Sequence, residues 1–334
     1  MPGLPWAAEA FPTPPDPGDN PTTDEKVALG KLLFYDPILS ADRQTACGTC
    51  HSEVWGMGDG LPRSIGEGAG LLSGPGRSGS NVGRRNALTL WNVAFRQTLF
   101  WDGRAASLED QVHFPLTSSV ELARTVDDVV TDLRNIPEYV ALFRTAFPDE
   151  PEPVSAVTFP RAIAAFERTL LSNHGLYDSY LQGDMLAMSD AMLRGMNLFE
   201  KEGCVDCHRP PLFSSEEFAN RGVPNVPGIA DDGRYEATLD EADRGRFKVP
   251  TLRNTHDTGP YFHTGAVVAL NDAVRHEVDF SVTHDGAPPL DDAGVADIGT
   301  FIIKGLFDTR RAPSRPHDVP SGLEVPIDGF DLRR

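Results

Sequence analysis

The chain lacks several features that would place it in common classes. No run of about 18 apolar residues exists in its 334, which excludes a membrane-spanning helix. Positive charge is scarce: 30 Lys and Arg stand against 49 Asp and Glu, a formal charge of −19. Such a chain repels nucleic-acid phosphates and anionic lipid, and suits a basic macromolecular partner. The first residues, MPGLPWAAEAFPTPP, contain neither a basic n-region nor an apolar h-region. Cysteine is limited to four residues, with none left over for a structural disulfide. Methionine is absent after Met196, and no histidine lies between His51 and His113. No β pattern emerges along the chain, which favours an all-α fold.

What is present is concentrated in two motifs. Cys47, Cys50 and His51 form one C-x-x-C-H, and Cys204, Cys207 and His208 form the other. This is the signature of covalent c-type haem attachment. Two thioethers pin the porphyrin edge, and the adjacent imidazole becomes the proximal iron ligand. The competing assignment is one zinc ion on four thiolates, which requires the pairs to meet and gives His51 and His208 no role. c-Type haem is attached outside the cytoplasm. The expectation is therefore a periplasmic protein in a mature or recombinant form, its export signal removed.

Around the motifs the chain divides into five parts. Residues 1–22, with seven prolines, read as an extended arm. Residues 23–172 form an N-terminal cytochrome c-type helical domain, and 173–188 a connection. Residues 189–309 form a C-terminal cytochrome c-type domain, and 310–334 a tail. Helical periodicity appears at Leu29, Leu32 and Leu33; at Val126, Val129, Val130 and Leu133 behind a Thr125 cap; and at Phe159, Ile163, Phe166 and Leu170. Ser107 opens a further helix, and Ser189 caps the one that carries Met192, Leu193, Met196 and Phe199. Val295, Ile298 and Ile302 mark the last. Ten glycines in residues 56–83 indicate a long loop or lid. Each half is helix, haem motif, long loop and helices, a duplication of architecture.

The side opposite each proximal histidine separates the possible functions. An electron carrier needs two strong iron ligands, and a peroxidase needs an openable position. Met57 is the only methionine between the first motif and His113. In the second half, candidate ligands are His256, His263, His276, His284, Tyr235 and Tyr261.

Several segments together resemble the bacterial di-haem cytochrome c peroxidase superfamily, with its MauG and MbnH branches. They are Leu29–Pro37 (LGKLLFYDP), Arg85–Leu90 (RNALTL), Phe100–Ala105 (FWDGRA), Ser107–Gln111 (SLEDQ), Lys248–Asn254 (KVPTLRN) and Pro260–His263 (PYFH), with both haem motifs. The resemblance spans roughly residues 24–305 and implies an H2O2-dependent oxidoreductase with a peroxidatic N-terminal haem. It implies Glu121 as acid/base catalyst, Gln111 as its positioning partner, and Trp101 as an electron-hopping site between the haems. It also implies a calcium ion held by Asn86, Thr258 and the Pro260 carbonyl, donors that suit hard Ca2+.

Two departures from the family pattern bear on the branch. Members activated by prior reduction carry a distal histidine in a segment like Ser64–Gly68, where this chain has Glu67. The first haem is therefore expected to be five-coordinate or water-bound. The family's second-haem methionine, a tyrosine in MauG, falls at Glu277, with His276 beside it as the best available strong ligand after a one-residue shift. Both departures lean towards the MauG or MbnH branch and oxidation of a partner protein's aromatic side chain. A cytochrome c peroxidase fed by a small cytochrome or cupredoxin is the close alternative, and a non-catalytic electron-transfer protein a further one.

Overall fold

A computed structural model of the chain describes residues 11–309 and 313–328. Parts of the expected arm (1–10) and tail (310–312 and 329–334) lie outside the described residues. The helices are α1 (Asp24–Tyr35), α2 (Cys47–Cys50), α3 (Leu108–Gln111), α4 (His113–Thr117), α5 (Val126–Arg134), α6 (Pro137–Ala146), α7 (Thr158–Glu167), α8 (Leu176–Leu181), α9 (Asp190–Lys201), α10 (Cys204–Cys207), α11 (Tyr235–Thr238), α12 (Leu270–Phe280) and α13 (Asp292–Thr300). Strand structure among the described residues is limited to two-residue pieces: β1 (Leu72–Ser73), β2 (Phe218–Ala219), β3 (Phe247–Lys248) and β4 (Ile327–Asp328). The fold is mainly α. Among the described residues no helix is long and apolar enough to cross a membrane.

The chain forms two compact units. Among the described residues, an N-terminal unit comprises 14–99, 105–170 and 313–328, and a C-terminal unit comprises 11–13, 100–104 and 171–309. Three boundaries differ from those expected of the sequence. Residues 313–328 pack into the N-terminal unit, where β4 pairs in parallel with β1. Residues 173–188 are not a bare connection but contain α8, which carries the fully buried Tyr177 of the C-terminal core. The FWDGR turn belongs to the C-terminal unit, because the Trp101 carbonyl accepts from Lys248 N at 2.8 Å and Gly103 packs against Phe218.

Local chemistry accounts for the helix starts. Thr23 Oγ1 accepts from Lys26 N, Ser107 Oγ from Asp110 N, Thr125 Oγ1 from Asp128 N and Ser189 Oγ from Met192 N. α1 ends at Asp36, before Pro37, which cannot continue it. α7 stops earlier than its apolar period suggests: Leu170 is buried but lies in the turn beyond Glu167.

One device recurs in both units. A Cβ on Gly30 of α1 would sit 1.8 Å from the Ala162 carbonyl oxygen of α7 and 3.0 Å from Phe166 Cβ. A Cβ on Gly195 of α9 would sit 1.9 Å from the Asp297 carbonyl oxygen of α13 and 3.0 Å from Phe301 Cβ. Only glycine permits either backbone contact. The duplication extends to residue register. Asn92 and Asn254, Phe100 and Phe262, and Gly103 and Gly265, pairs 162 positions apart, all have positive φ. Leu99 bridges Ala105 as Tyr261 bridges Val267.

Candidate functional site

In the N-terminal unit, α2 presents the first motif. Ala46 N donates to Thr49 Oγ1 at 2.9 Å, closing the turn that holds Cys47 and Cys50 side by side. His51 follows, its Nδ1 at 3.0 Å from the Met57 carbonyl oxygen and also bonded to the Leu88 backbone. In the C-terminal unit, His208 Nδ1 lies 3.1 Å from the Pro250 carbonyl oxygen and 3.3 Å from that of Phe213. Leu88 and Pro250 are again 162 positions apart. A carbonyl acceptor beside each Nδ1 favours the tautomer with its proton there, which makes Nε2 the lone-pair nitrogen of each ring.

The four cysteines form no disulfide. Burial pushes the thiols up, Cys47 and Cys204 to about 12. They are therefore neutral thiols. Each pair also has its own histidine on its own unit. Cys204 is one of the half-buried apolar residues packed on the C-terminal core, as are Leu252, Tyr261, Phe262, Val267 and Val278, side chains of a kind that suits a porphyrin face. The residues present fit one c-type haem in each unit.

The other candidates of the first site fall as follows. Gln111 ends α3, and Glu121 lies in the turn between α4 and α5, not on a helix surface. Glu121 is close enough to Cys50 to raise that thiol's pKa, behind burial and Asp59. Its carbonyl accepts from Glu67 N at 2.7 Å, and the Glu67 carboxylate accepts from Asn81 Nδ2 at 2.7 Å. The glycine-rich segment is thus a pinned loop, not a free lid. Buried Arg77 ties it together by donating to the carbonyls of Ile65, Gly66, Gly70 and Leu72 and to Thr45 Oγ1. Asn86 Nδ2 donates to the Leu61 carbonyl.

Two buried acids escaped the sequence reading. Burial pushes Asp59 up to about 6 and Glu167 up to about 8. Asp59 Oδ2 and Glu167 Oε2 have no hydrogen-bond partner among the described residues. Glu167 ends the apolar face of α7, a position that reads as an ordinary helix-end charge.

In the C-terminal unit, Trp101 is buried and meets the His263 ring edge-on at 6.2 Å, and His263 stacks on Phe247 at 3.6 Å. His276 is half-buried, not an exposed helix histidine. Its Nε2 lies 2.8 Å from the Arg221 carbonyl oxygen, and its ring meets Phe262. Glu277 points to the same segment: Arg221 Nε donates to its carboxylate at 2.6 Å. The Glu277 charge raises the pKa of both Cys204 and Cys207, so it lies on the motif's side. The remaining ligand candidates have other contacts. His256 pairs with Asp257, and His284 stacks on Phe280. Tyr235 lies under Arg244, and Tyr261 donates to the Thr255 carbonyl. Thr258 Oγ1 donates to that same carbonyl at 3.4 Å, and Pro260 follows a cis peptide.

A family model for di-haem cytochrome c peroxidases matches residues 24–185. The chain is 37% identical over 259 residues to cytochrome c551 peroxidase of Pseudomonas aeruginosa, covering 76% of this chain and 72% of that protein. It is also 37% identical over 265 residues to the methylamine utilization protein MauG of Methylorubrum extorquens, covering 79% and 71%. Among solved structures, a MauG-like protein associated with microbial copper homeostasis superposes with a TM-score of 0.77 at 29% identity, covering 91% of this chain and 95% of that one.

Proposed function

Because the chain belongs to the di-haem cytochrome c peroxidase family and is an oxidoreductase of peroxidase type, we propose that it uses H2O2 to oxidise an aromatic side chain of a partner protein at long range, in the periplasm. Cys47, Cys50 and His51 would hold one haem, and Cys204, Cys207 and His208 the other. Bound there, the haems supply redox-active iron that accepts the oxidising equivalents of peroxide and stores them away from solvent. The chain does the remaining work. The Glu121 carboxylate takes a proton from one peroxide oxygen and returns it to the other as the O–O bond breaks. Gln111 orients the peroxide by hydrogen bonding. Trp101, packed edge-on against His263, offers an indole that can give up an electron and pass the charge on. A calcium ion on Asn86, Thr258 and Pro260 is part of the same proposal.

The observation that carries the reading is the fixed loop beside Glu121. Where reductively activated members place a movable histidine, this chain has Glu67, anchored by its backbone to Glu121 and by its carboxylate to Asn81. A carboxylate tied in this way cannot gate the first haem as an imidazole would, which supports direct reaction with peroxide. The second reading, a peroxidase drawing electrons from a small cytochrome, is favoured by the equal identity to cytochrome c551 peroxidase and by an acidic chain suited to a basic donor. To separate them, the enzyme is given H2O2 with either a reduced small cytochrome or a secreted protein encoded beside it. Peptide mass spectrometry should find an oxidised Trp or Tyr in the secreted protein. Rapid turnover of the cytochrome with the secreted protein unmodified would establish the second reading instead.

A further inference from the structure

We propose that residues 313–328 form a strap that fixes the proximal side of the first haem site, with Arg315 and Glu53 as positioning residues for His51. This rests on the di-haem reading above. Arg315 Nε and Nη2 grip the two carboxylate oxygens of Glu53 at 2.9 and 3.1 Å, and both side chains are only 14% exposed. Nη2 also donates to Ser52 Oγ at 3.2 Å, and Nη1 donates to the Pro326 carbonyl of the strap itself. Ser52 and Glu53 directly follow His51.

The grip acts on the motif from two directions. Ser52 N donates to the Gly58 carbonyl, and Met57 N donates to the Ser52 carbonyl, each at 2.8 Å. These bonds close the turn that delivers the Met57 carbonyl to His51 Nδ1. From the other direction, Tyr35 Oη donates to Glu53 Oε2 at 3.0 Å. The Tyr35 ring lies against Gly48, between the two cysteines, where a Cβ would come within 2.5 Å of it. Glu53 therefore links the strap to both ends of the C-x-x-C-H turn.

The strap is held along its length. Ser314 Oγ accepts from Lys31 Nζ at 3.0 Å, Ser321 Oγ donates to Asp36 Oδ1 at 2.7 Å, and Ile327 N donates to the Leu71 carbonyl at 3.0 Å. β4 then pairs with β1, whose Leu72 carbonyl is one of the Arg77 acceptors. A two-pronged, largely buried ion pair contributes geometric specificity more than net stability. The second motif is followed instead by Arg209, whose pairing with Glu217 is solvent-exposed, so the second haem serves as an internal control.

The test uses the full-length holoprotein with Arg315→Gln and, separately, Glu53→Gln, which keeps the shape of the side chain. Both haem potentials are followed by spectroelectrochemical titration. An imidazole whose Nδ1 proton is held by a carbonyl is a more basic ligand, which favours oxidised iron. Loosening that hold should therefore raise the first haem's potential in both variants, leave the second haem's unchanged, and slow the peroxide reaction by about 10–100-fold. A simple charge effect would move the two variants in opposite directions, since one loses a cation and the other an anion. Opposite shifts, equal shifts of both haems, or a lowered melting temperature with wild-type potentials would each overturn the strap's positioning role. Absence of a covalent haem at Cys47 and Cys50 would instead refute the di-haem reading on which it rests.

Discussion

The two units share a skeleton but differ in what is attached to it. Each crosses its first and last long helices through a glycine, Gly30 or Gly195, and each steadies its motif histidine with a carbonyl from the same register, Leu88 or Pro250. The N-terminal unit adds Glu121, the Arg77-bound loop and the C-terminal strap. The C-terminal unit adds Arg221, whose side chain grips Glu277, Asp285 and Ser281 and whose carbonyl meets His276. Even the core differs: after Phe166 the first unit buries Glu167, whereas after Phe301 the second buries Ile302. The shared skeleton suits the task common to both, holding a haem. The differences are where reaction with peroxide and storage of charge can be separated.

The largest effect should come from unequal roles of the two carboxylates. General acid/base help is worth about 10²–10⁴-fold. Glu121→Gln should slow the reaction with H2O2 by a factor in that range in stopped-flow absorbance, with both haems attached. Glu277→Gln, in the other unit, should leave that rate unchanged. Equal slowing by both would erase the division of labour.

The glycine crossings should respond alike. A methyl group on Gly30 or Gly195 must displace backbone, not a flexible side chain. Gly30→Ala and Gly195→Ala should each destabilise by about 1–3 kcal/mol, as overpacking does. Denaturant unfolding checks this, and a neutral result at either site would show that the two crossings are not equivalent.

A pH-dependent effect concerns Glu167. Its folded pKa of about 8 exceeds the usual 4.5, so above 4.5 the folded state binds a proton that the unfolded chain has released. Its contribution to stability is therefore fully present below about pH 4.5, is lost as pH rises towards 8, and levels off beyond. The slope is at most about 1.4 kcal/mol per pH unit. Glu167→Gln should flatten this part of a melting-temperature profile, and an unchanged profile would place the ionisation elsewhere.

Much of this comparison was legible in the sequence, because it rests on local signals. The haem motifs are five-residue patterns, and the caps at Ser107, Thr125 and Ser189 act within one turn. The architectural duplication was visible, but its register was not. The positions that share a positive φ carry identical residues, Asn92 and Asn254, Phe100 and Phe262, and Gly103 and Gly265, but they are scattered among unlike pairs such as Trp101 and His263 or Arg104 and Ala266. Arg77, Arg221 and Arg315 were illegible for another reason. The partners of Arg221 and Arg315 lie dozens to hundreds of residues away, and most of those of Arg77 are backbone carbonyls. The strap was hidden because residues 313–328 have a tail's composition and acquire order by pairing with β1.

The first site should be open to peroxide at rest and the second should not. The direct measurement is an electron paramagnetic resonance spectrum of the fully oxidised protein, before and after one equivalent of H2O2. The prediction is one high-spin ferric haem, whose signal disappears on adding peroxide without prior reduction. A resting spectrum with only low-spin haem, unreactive until one haem is reduced, would contradict it.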